Sequence, residues 1–414
     1  MAAPLRLLRL LLPLAGIVAI LAVAPLQAQR ADIDTATAMA TATVAGSVEK
    51  PRPATRSTQS AGRSTKLSVK KLKKLKKLKQ VAKRPVRAKP PVKRAAPDTR
   101  PKPAAPANPN DPLWSSSWSL ARTNAAAAWS LTSGAPETVV AILDTGVDLA
   151  HPDLQGSLVQ GYDFVNRDDD PTDDHGHGTM VAGVVAARAN NGLGGVGACS
   201  RCSVMPVKVI AANGSGDAAD VAEGVRWATD HGAQVLNLSF TLSGSDESVA
   251  QAIDYARGRG VVVVAAAGNA GTTDATFPAV YPGVVSVAGT DVADARYDWS
   301  SYGGWVRLAA PGCNLTTAPG AGYGDFCGTS SATAFVSGIA GLVRSFAPDL
   351  SPDAIEQALA GSALRVGDFV SAGRVDAGAA LGALRAARVA TVGSAPAVAT
   401  DPLVAATDAD AGAQ

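Results

Sequence analysis

The sequence predicts an α/β protein of three layers, in which a central and mostly parallel sheet has helices on both faces. Between residues 110 and 382, apolar runs of strand length alternate with amphipathic stretches of helix length. The strand runs are continuously Val, Ile and Ala rather than alternately apolar and polar, which indicates burial on both faces. The chain has 414 residues, 47% of them hydrophobic, and is long enough to bury one large core.

Five strands and five helices are predicted in this region. The strands are 138–143, 203–210, 234–239, 260–266 and 284–289. The helices are 177–189, 217–230, 247–257, 330–346 and 352–359. Functional side chains of a parallel α/β sheet gather at the carboxyl ends of its strands, so the search for a site begins there.

The first 28 residues have the parts of a secretory signal. Arg6 and Arg9 precede an apolar run at 10–26, and Gln27 and Ala28 fit a small-residue cleavage site. The alternative is an uncleaved signal anchor, because about 17 apolar residues just suffice to span a bilayer. The sequence therefore predicts export to the extracellular space or the periplasm.

Residues 29–109, here called the basic arm, have the composition of a disordered pro-segment or linker. Residues 50–102 hold 20 Lys and Arg against one acid, whereas residues 103–414 hold 15 basic and 31 acidic residues. The run KKLKKLKKLK at 70–79 predicts a short basic amphipathic helix that contacts anionic surfaces weakly. No aromatic residue interleaves these lysines, so no specific nucleic-acid contact is predicted. Residues 383–414 are predicted to be a disordered tail.

The four cysteines form two local pairs, Cys199 with Cys202 and Cys313 with Cys327. Export favours disulfides, and the short loops favour pairing within each pair among three possible connectivities. Half of a zinc site, or a redox pair, is the alternative for Cys199 and Cys202.

Three short motifs carry candidate chemistry. Asp144 follows the first predicted strand, where a turn aspartate that caps backbone amides is one alternative. An aspartic protease is the other, although it needs a second Asp-Thr/Ser-Gly that the chain lacks. His175 and His177 precede a helix of small residues at a spacing that suits a general base better than a metal site. Ser330 follows a glycine turn at a helix start, where an N-cap is the alternative role. Asn269 closes a strand and is a candidate hydrogen-bond donor to an oxyanion.

In the order Asp, His, Ser, these motifs resemble those of the subtilisin-like serine proteases, and of the thermitase-like members in particular. The resemblance covers residues 110–382. It implies a protease of proteins or peptides with Ser330 as nucleophile, His177 as base, Asp144 orienting the base and Asn269 in the oxyanion hole. It also implies a monomer without an organic cofactor. Extended substrate would lie along two strand edges, formed by Leu238, Ser239 and Phe240 and by Ala266, Ala267 and Gly268.

Uncharged residues at the expected primary pocket, Ala270 and Thr276, predict that apolar or neutral side chains are accepted there. An acidic loop resembles a structural Ca²⁺ loop, with Asp163, Asp168, Asp170 and Thr172 as ligands; a solvated surface loop is the alternative. A second, weaker site is expected at Asp153 and the loop of Asn191.

The chain departs from the family pattern at Met180, at Ala334 and Phe335, and at Thr241. These departures concern the helix behind Ser330 and the substrate subsites. The competing hypotheses are a catalytically inactive fold used as a binding module, and a protein whose basic arm is the main functional part.

Overall fold

The computed structural model describes residues 43–45 and 109–393. The predicted signal, the rest of the basic arm with its helix at 70–79, and residues 394–414 lie outside this range. Strands are numbered along the chain. They are β1 (Thr43–Ala45), β2 (Val139–Asp144), β3 (Tyr162–Asp163), β4 (Ser203–Lys208), β5 (Ser215–Asp217), β6 (Val235–Leu238), β7 (Thr241–Leu242), β8 (Val262–Ala266), β9 (Val285–Thr290), β10 (Leu308–Pro311), β11 (Cys313–Ala318), β12 (Gly322–Cys327) and β13 (Gly373–Arg374).

Within residues 109–393, eight of these strands form one sheet in the order β13-β10-β9-β8-β6-β2-β4-β3. Every neighbouring pair in this sheet is parallel. The predicted parallel α/β architecture is therefore confirmed. The five predicted strands are its β2, β4, β6, β8 and β9.

The helices of the described residues are α1 (Trp118–Arg122), α2 (Ala125–Trp129), α3 (His177–Ala186), α4 (Ala218–Asp230), α5 (Glu247–Gly258), α6 (Thr329–Phe346), α7 (Pro352–Gly361) and α8 (Ala377–Gly393). The five predicted helices are α3 to α7. Capping side chains fix two of their starts, because Asp246 accepts from two backbone N–H groups of α5 and Ser351 from one of α7.

The sheet is buried on both faces. Along β2, Val140 and Ile142 point into the core that holds α3 and α6, and Ala141 and Leu143 point into the core that holds α4 and α5. This is the alternation that a strand imposes on successive side chains. Helix α6 is central, since it is buried continuously from Thr329 to Arg344.

The C-terminal boundary differs from the prediction. Helix α8 continues past residue 382 to Gly393, within the segment predicted as disordered tail. Its sequence is rich in Ala, the residue with the highest helix propensity. Arg388 also ties the helix to the body through the Phe346 carbonyl and the Asp349 carboxylate. No helix among the described residues is long and apolar enough to cross a membrane.

Two disulfides have the pairing within each local pair. One disulfide joins Cys199 to Cys202, and the other joins Cys313 to Cys327 across the antiparallel hairpin of β11 and β12. The hairpin was not predicted. It lies against α3, where the hydroxyls of Thr316 and Thr317 donate to backbone carbonyls of that helix.

A second, three-stranded sheet has the order β5-β1-β7. Its middle strand, Thr43–Ala45, comes from the basic arm and is parallel to both neighbours.

Candidate active site

The carboxyl edge of the central sheet brings Asp144 and His177 together. Asp144 is the last residue of β2, and His177 is the first residue of α3, after Gly176 in a left-handed conformation (φ 107°). Asp144 Oδ1 lies 2.7 Å from His177 Nδ1. The side chains of both residues are almost completely buried. This fixes the ring so that Nε2 faces away from the carboxylate.

Burial and two nearby carboxylates set the pKa of His177. Burial, the largest single influence, lowers the pKa of His177. The charge and the hydrogen bond of Asp144, with the charge of Asp173, outweigh burial and raise that pKa above its ordinary value. His177 Nε2 is buried and has no hydrogen-bond partner among the described residues. A buried imidazole nitrogen of this kind is suited to accept a proton from a group that comes next to it.

Ser330 lies at the start of the central helix. It is the second residue of α6, after Gly328 with φ 144°, and its side chain is buried. Its Oγ donates to the Ser239 carbonyl at 2.9 Å. The hydroxyl is therefore bonded to a backbone carbonyl and not to His177 Nε2, which has no hydrogen-bond partner among the described residues.

A buried polar chain supports the backbone of Ser330. Ser337 Oγ donates to Asn237 Oδ1, Asn237 Nδ2 donates to Ser239 Oγ, and Ser239 Oγ donates to the Ser330 carbonyl. The distances are 2.9, 2.8 and 3.1 Å. Each of these hydroxyl and amide groups is satisfied in a dry environment, which fixes α6 against β6.

Asn269 is oriented by the residue before the serine. Its Oδ1 accepts from the backbone N and from Oγ1 of Thr329, each at 2.9 Å. These two donors hold the Asn269 amide in one orientation. Thr329 Oγ1 also accepts from the Gly268 N–H at 3.1 Å. One hydroxyl therefore joins the beginning of the loop after β8 to the start of α6.

The two predicted substrate edges have buried side chains. Leu238, Ser239 and Phe240 are buried, as are Ala266 and Ala267, and Gly268 has φ 97°. These segments therefore offer backbone groups rather than side chains. A Cβ built on Gly268 would lie 3.4 Å from Thr276 Cγ2 and 3.5 Å from Thr241 Cγ2. The methyl groups of both threonines thus lie next to the space that a Gly268 side chain would fill, and Thr276 Oγ1 is fixed on the Ala267 carbonyl.

The predicted calcium loop uses its oxygens within itself. Asp163 accepts from the backbone of Val165 and Asn166 and from the Asn166 side chain. Asp168 accepts from the Asp170 N–H, and Asp170 from the Thr172 N–H and hydroxyl. No group of three or more acidic, His or Cys side chains converges as a metal cluster within the described residues.

The second predicted calcium site, at Asp153 and the loop of Asn191, has a carboxylate oxygen that suits a cation better than those of the acidic loop. Asp153 is buried, its Oδ2 has no hydrogen bond of good geometry within the part of the chain that the structure describes, and the Tyr323 hydroxyl interacts with the same carboxylate. Burial raises the pKa of Asp153 to about 6, although the hydrogen bond from Asn191 Nδ2 to Oδ1 opposes the rise. Asp111 lies nearby and accepts from the backbone N–H groups of Asn190 and Asn191. A desolvated oxygen beside a second carboxylate and an amide suits Ca²⁺.

The three positions at which the chain departs from the family pattern fit into the fold. Ala334 and Phe335 are buried in the core that α6 shares with the sheet, and Met180 packs against the same core. The helix behind Ser330 is continuous from Thr329 to Phe346. Thr241 begins β7.

Sequence reasoning missed two residues of this site. Asp173 accepts five hydrogen bonds, from Thr145, His175, Gly176 and Thr179, and so holds the loop that leads to His177. Thr329 joins Gly268 and Asn269 to α6. The sequence signal for Asp173 is its position four residues before His177. Thr329 has no such signal, because its contact with Asn269 spans 60 residues of the chain.

An aspartate–histidine pair and a serine at a helix start, all joined to one parallel sheet, are the parts of a serine hydrolase. Comparison with known proteins agrees with this class. The family model described as "Subtilase family" matches residues 135–389. The chain is 40% identical over 274 residues to thermitase of Thermoactinomyces vulgaris, which covers 65% of this chain and 97% of that protein.

Further similarities have the same extent. Subtilisin Savinase of Lederbergia lenta is 38% identical over 266 residues, covering 64% of this chain and 97% of its own. A solved protease structure from Pseudoalteromonas arctica PAMC 21717 has a TM-score of 0.63 and 32% identity, covering 66% of this chain and 99% of its own. The chain belongs to the subtilase family and is a subtilisin-like serine protease.

Proposed function

We propose that the chain is a secreted endopeptidase that hydrolyses peptide bonds through an acyl-enzyme on Ser330. The observation that carries the proposal is the buried hydrogen bond of 2.7 Å between Asp144 and His177. It leaves His177 Nε2 without a partner among the described residues. An oriented base with an open nitrogen is what a serine nucleophile requires.

The proton steps follow from this orientation. His177 Nε2 takes the proton of the Ser330 hydroxyl as Oγ attacks the scissile carbonyl carbon. The imidazolium then gives that proton to the leaving amine, and the acyl group stays on Oγ. A water molecule repeats the two steps, which releases the carboxylate product and restores the serine. Asp144 stays ionised and stabilises the imidazolium.

The oxyanion is assigned to two donors, the Asn269 side-chain amide and the Ser330 backbone N–H. The two Thr329 donors on Asn269 Oδ1 support this assignment, because they hold the amide in one orientation before substrate binds. Loss of a side-chain donor of this kind costs on the order of 10²–10³ in kcat.

The primary pocket is proposed to accept small or medium uncharged side chains. Thr241 and Thr276 both lie beside Gly268 and carry no charge, so a Lys or Arg side chain would lose water there without gaining a counter-ion. Substrate is proposed to pair through its backbone with the edges at Leu238, Ser239 and Phe240 and at Ala266, Ala267 and Gly268, which tolerates many sequences.

Calcium is proposed as a structural ion. Asp153, Asp111 and Asn191 are the favoured ligands, because Asp153 is buried and lies beside the second carboxylate of Asp111. The acidic loop of Asp163, Asp168, Asp170 and Thr172 is the second candidate. It ranks lower because its oxygens already accept hydrogen bonds from neighbours in the same loop.

Secretion rests on residues 1–28, and the disulfides of the body are compatible with an oxidising compartment. N-terminal sequencing of the exported protein tests it. A first residue after Ala28 or further along the chain agrees with the proposal, and an intact Met1 in the exported protein contradicts it.

The activity is tested with internally quenched peptides that differ only at the residue before the scissile bond: Ala, Leu, Phe, Glu or Lys. We expect the purified protein to hydrolyse the Ala and Leu peptides with at least about tenfold higher kcat/KM than the Lys peptide, roughly 1.4 kcal/mol of discrimination. Ser330→Ala should reduce hydrolysis by several orders of magnitude.

Ser331→Ala is the matched control, because Ser331 is the adjacent serine and its hydroxyl accepts from Asn314. It should keep measurable activity. A folded wild-type protein that hydrolyses none of the peptides, or a Ser330→Ala protein that retains full activity, would refute the proposal. The first of these results would favour the binding-module hypothesis.

A further inference from the structure

The hairpin of β11 and β12 lies against both helices that carry reacting groups. On one side, the hydroxyls of Thr316 and Thr317 donate to backbone carbonyls of α3, the helix that begins at His177. On the other side, Asn314 Nδ2 donates at 2.8 Å to the hydroxyl of Ser331, in the first turn of α6. The position of the hairpin is therefore coupled to the base and to the nucleophile.

The ring of Phe326 packs on the base. Phe326 is the last residue but one of β12 and is buried. The centroid of its ring is 5.2 Å from that of His177, and the two ring planes are nearly perpendicular, at 82°. Aromatic rings attract one another in this edge-to-face arrangement. Asp144 holds Nδ1 of the imidazole, and Phe326 limits the movement of the ring itself.

A disulfide closes the hairpin where the chain enters α6. Cys313 and Cys327 are opposite each other at the ends of the two strands that lie farthest from the turn. Beyond them, the Gly328 N–H donates to the Gly312 carbonyl at 2.8 Å. Cys327 directly follows the aromatic residue that packs on the base, and it precedes Ser330 by three positions. The sulfur bond thus restrains the chain between the two reacting groups.

The two disulfides differ in their access to solvent. Cys199 and Cys202 are 0% exposed, whereas Cys313 and Cys327 are half-buried. Thiol–disulfide exchange requires that a thiolate reach one of the sulfur atoms. A dithiol in solution should therefore reduce the hairpin disulfide of the folded protein before it reduces the buried one.

We propose that the Cys313–Cys327 disulfide is a redox-sensitive positioning element, which holds Phe326 against His177 and gives the protease its full kcat only in the oxidised form. The inference rests on the proposed function, because it assigns a further role in the same site. In the reducing step, one thiolate of a dithiol attacks a cysteine sulfur, and its second thiol displaces the resulting mixed disulfide. Two electrons and two protons pass to the protein, giving two cysteine thiols and an oxidised dithiol.

The reduced hairpin keeps its ladder and loses the covalent bond at its end. The pairs from Asn314 opposite Phe326 to Ala318 opposite Gly322 do not require the sulfur bond. The end of a ladder opens at less cost than its middle, so Phe326 packs less closely on His177 in the reduced form. Cysteines of a cytosol are kept reduced, so the chain would have a low kcat before export and a higher one after oxidation.

The first test compares oxidised and reduced wild-type protein. Folded protein is treated with excess dithiothreitol, and hydrolysis of the internally quenched Leu peptide is measured before and after reoxidation with oxidised glutathione. We expect reduction to lower kcat by about tenfold with little change in KM, because a misplaced catalytic group costs turnover. Reoxidation should restore kcat. Circular dichroism checks that the reduced protein is folded at the assay temperature, and a loss of kcat that accompanies unfolding would overturn the positioning role.

Alkylation locates the bond that is reduced. The reduced protein is labelled with iodoacetamide while folded, then digested and analysed by tandem mass spectrometry. We expect label on Cys313 and Cys327 and none on Cys199 and Cys202. A hairpin disulfide that stays closed in excess dithiothreitol refutes its redox sensitivity, and a kcat that falls only when the buried pair is labelled refutes the assignment to the hairpin.

Two double variants make the same chemical change at each disulfide. Cys313→Ala/Cys327→Ala should have the kcat of reduced wild-type protein and should not respond to dithiothreitol. Cys199→Ala/Cys202→Ala is the matched control, and it should keep both the kcat and the response of the wild type. Each variant is assayed well below its own Tm. Wild-type kcat in the first variant, or an equal loss of kcat in both, overturns the inference.

The pH profile of kcat/KM separates positioning from a general loss of stability. Burial lowers the pKa of His177, so an imidazole that Phe326 covers less closely is better hydrated and has a higher pKa. The acid limb should therefore move to higher pH on reduction. The titratable groups around His177 are Asp144 after β2, Asp173 and His175 in the loop before α3, and Tyr323 and Asp325 on the hairpin, where Asp325 is exposed. An unmoved limb would contradict the action on His177.

Two substitutions test whether the disulfide acts through Phe326. Phe326→Leu removes the ring, so we expect a lower kcat and a smaller response to reduction than in the wild type, because the two changes break one contact. Phe326→Tyr keeps the ring and should retain most of the response. A response of Phe326→Leu as large as that of the wild type would overturn this route.

The two proposals fail in different ways. Oxidised protein that hydrolyses the peptides, with the same kcat and acid limb after reduction of Cys313 and Cys327, leaves the protease function in place and refutes the positioning role. Oxidised protein that hydrolyses none of the peptides refutes the protease function, and the positioning role with it.

Discussion

At the scale of single residues, Asp173 is the second carboxylate, after Asp144, that raises the pKa of His177 against the effect of burial. Asp173 holds the loop before His177 through five hydrogen bonds, and its charge contributes to raising the pKa of the imidazole. His177 must be neutral to accept a proton from Ser330. The value of kcat/KM should therefore rise with pH as His177 loses its proton, and its acid limb reports the raised pKa.

Asp173→Asn removes the charge while keeping the size of the side chain. Because a nearby negative charge favours the imidazolium, its loss lowers the pKa of His177 and moves the acid limb of kcat/KM to lower pH. Asp169→Asn, the same change at an exposed position of the neighbouring loop, should leave the limb in place. A limb that moves to higher pH in Asp173→Asn, or moves equally in both variants, would contradict this role.

At the scale of elements, the start of α6 is held to the loop after β8 by Thr329. Its hydroxyl accepts from Gly268 N–H and donates to Asn269 Oδ1. Thr329→Val removes both bonds and leaves the Gly268 N–H without this partner. One neutral hydrogen bond contributes about 0.5–1.5 kcal/mol, so we expect kcat to fall by up to about tenfold with little change in KM.

Thr329→Ser keeps the hydroxyl and should retain most of the activity. Steady-state kinetics of the two variants, with Tm measured for each, separates positioning from loss of stability. The interpretation fails if both variants lose kcat equally, or if Thr329→Val raises KM and leaves kcat unchanged.

The elements also show what the sequence could predict. The sequence predicts the strands at 138–143 and 203–210 and the helices at 217–230 and 352–359 to within two residues at every end, because continuous apolar runs and capping residues such as Ser351 act locally. The hairpin of β11 and β12 was missed because its pairing depends on a disulfide and on contacts with α3. The strand Thr43–Ala45 was missed because its partners are far along the chain.

The candidate site divides in the same way. Asp144, His177 and Ser330 are identifiable from short motifs at strand and helix ends. The role of Thr329 is not visible in the sequence, because its partners Gly268 and Asn269 come close to it only in the fold. Asp173 could have been found, because it lies close to the histidine motif in the sequence. The acidic loop stays a prediction: its density of carboxylates indicates a metal site, and in the fold these side chains accept hydrogen bonds from their own loop.

At the scale of the whole molecule, Asp153 lies where the beginning of the body meets the loop of Asn191. Asp111 accepts from Asn190 and Asn191, and Asn191 donates to Asp153. A cation there would neutralise two carboxylates and fasten residues that are about 80 positions apart. At 100 times its dissociation constant, such an ion would add about 2.7 kcal/mol to the free energy of unfolding.

We therefore expect EDTA to lower Tm by about 5 °C, measured by differential scanning calorimetry. Asp153→Asn should abolish this shift, and Asp170→Asn in the acidic loop should preserve it. An unchanged Tm in EDTA would argue against structural calcium at either place. A shift lost only in Asp170→Asn would transfer the site to the acidic loop.

The assignment of Ser330 as nucleophile is tested most directly by mapping a covalent label. Wild-type protein is treated with a fluorophosphonate, digested with trypsin under denaturing conditions, and analysed by tandem mass spectrometry. We predict a single stoichiometric adduct on Ser330, formed more slowly below the pKa of His177, where the base is protonated. An adduct on another residue, or none on Ser330 in protein that hydrolyses casein, would contradict the assignment.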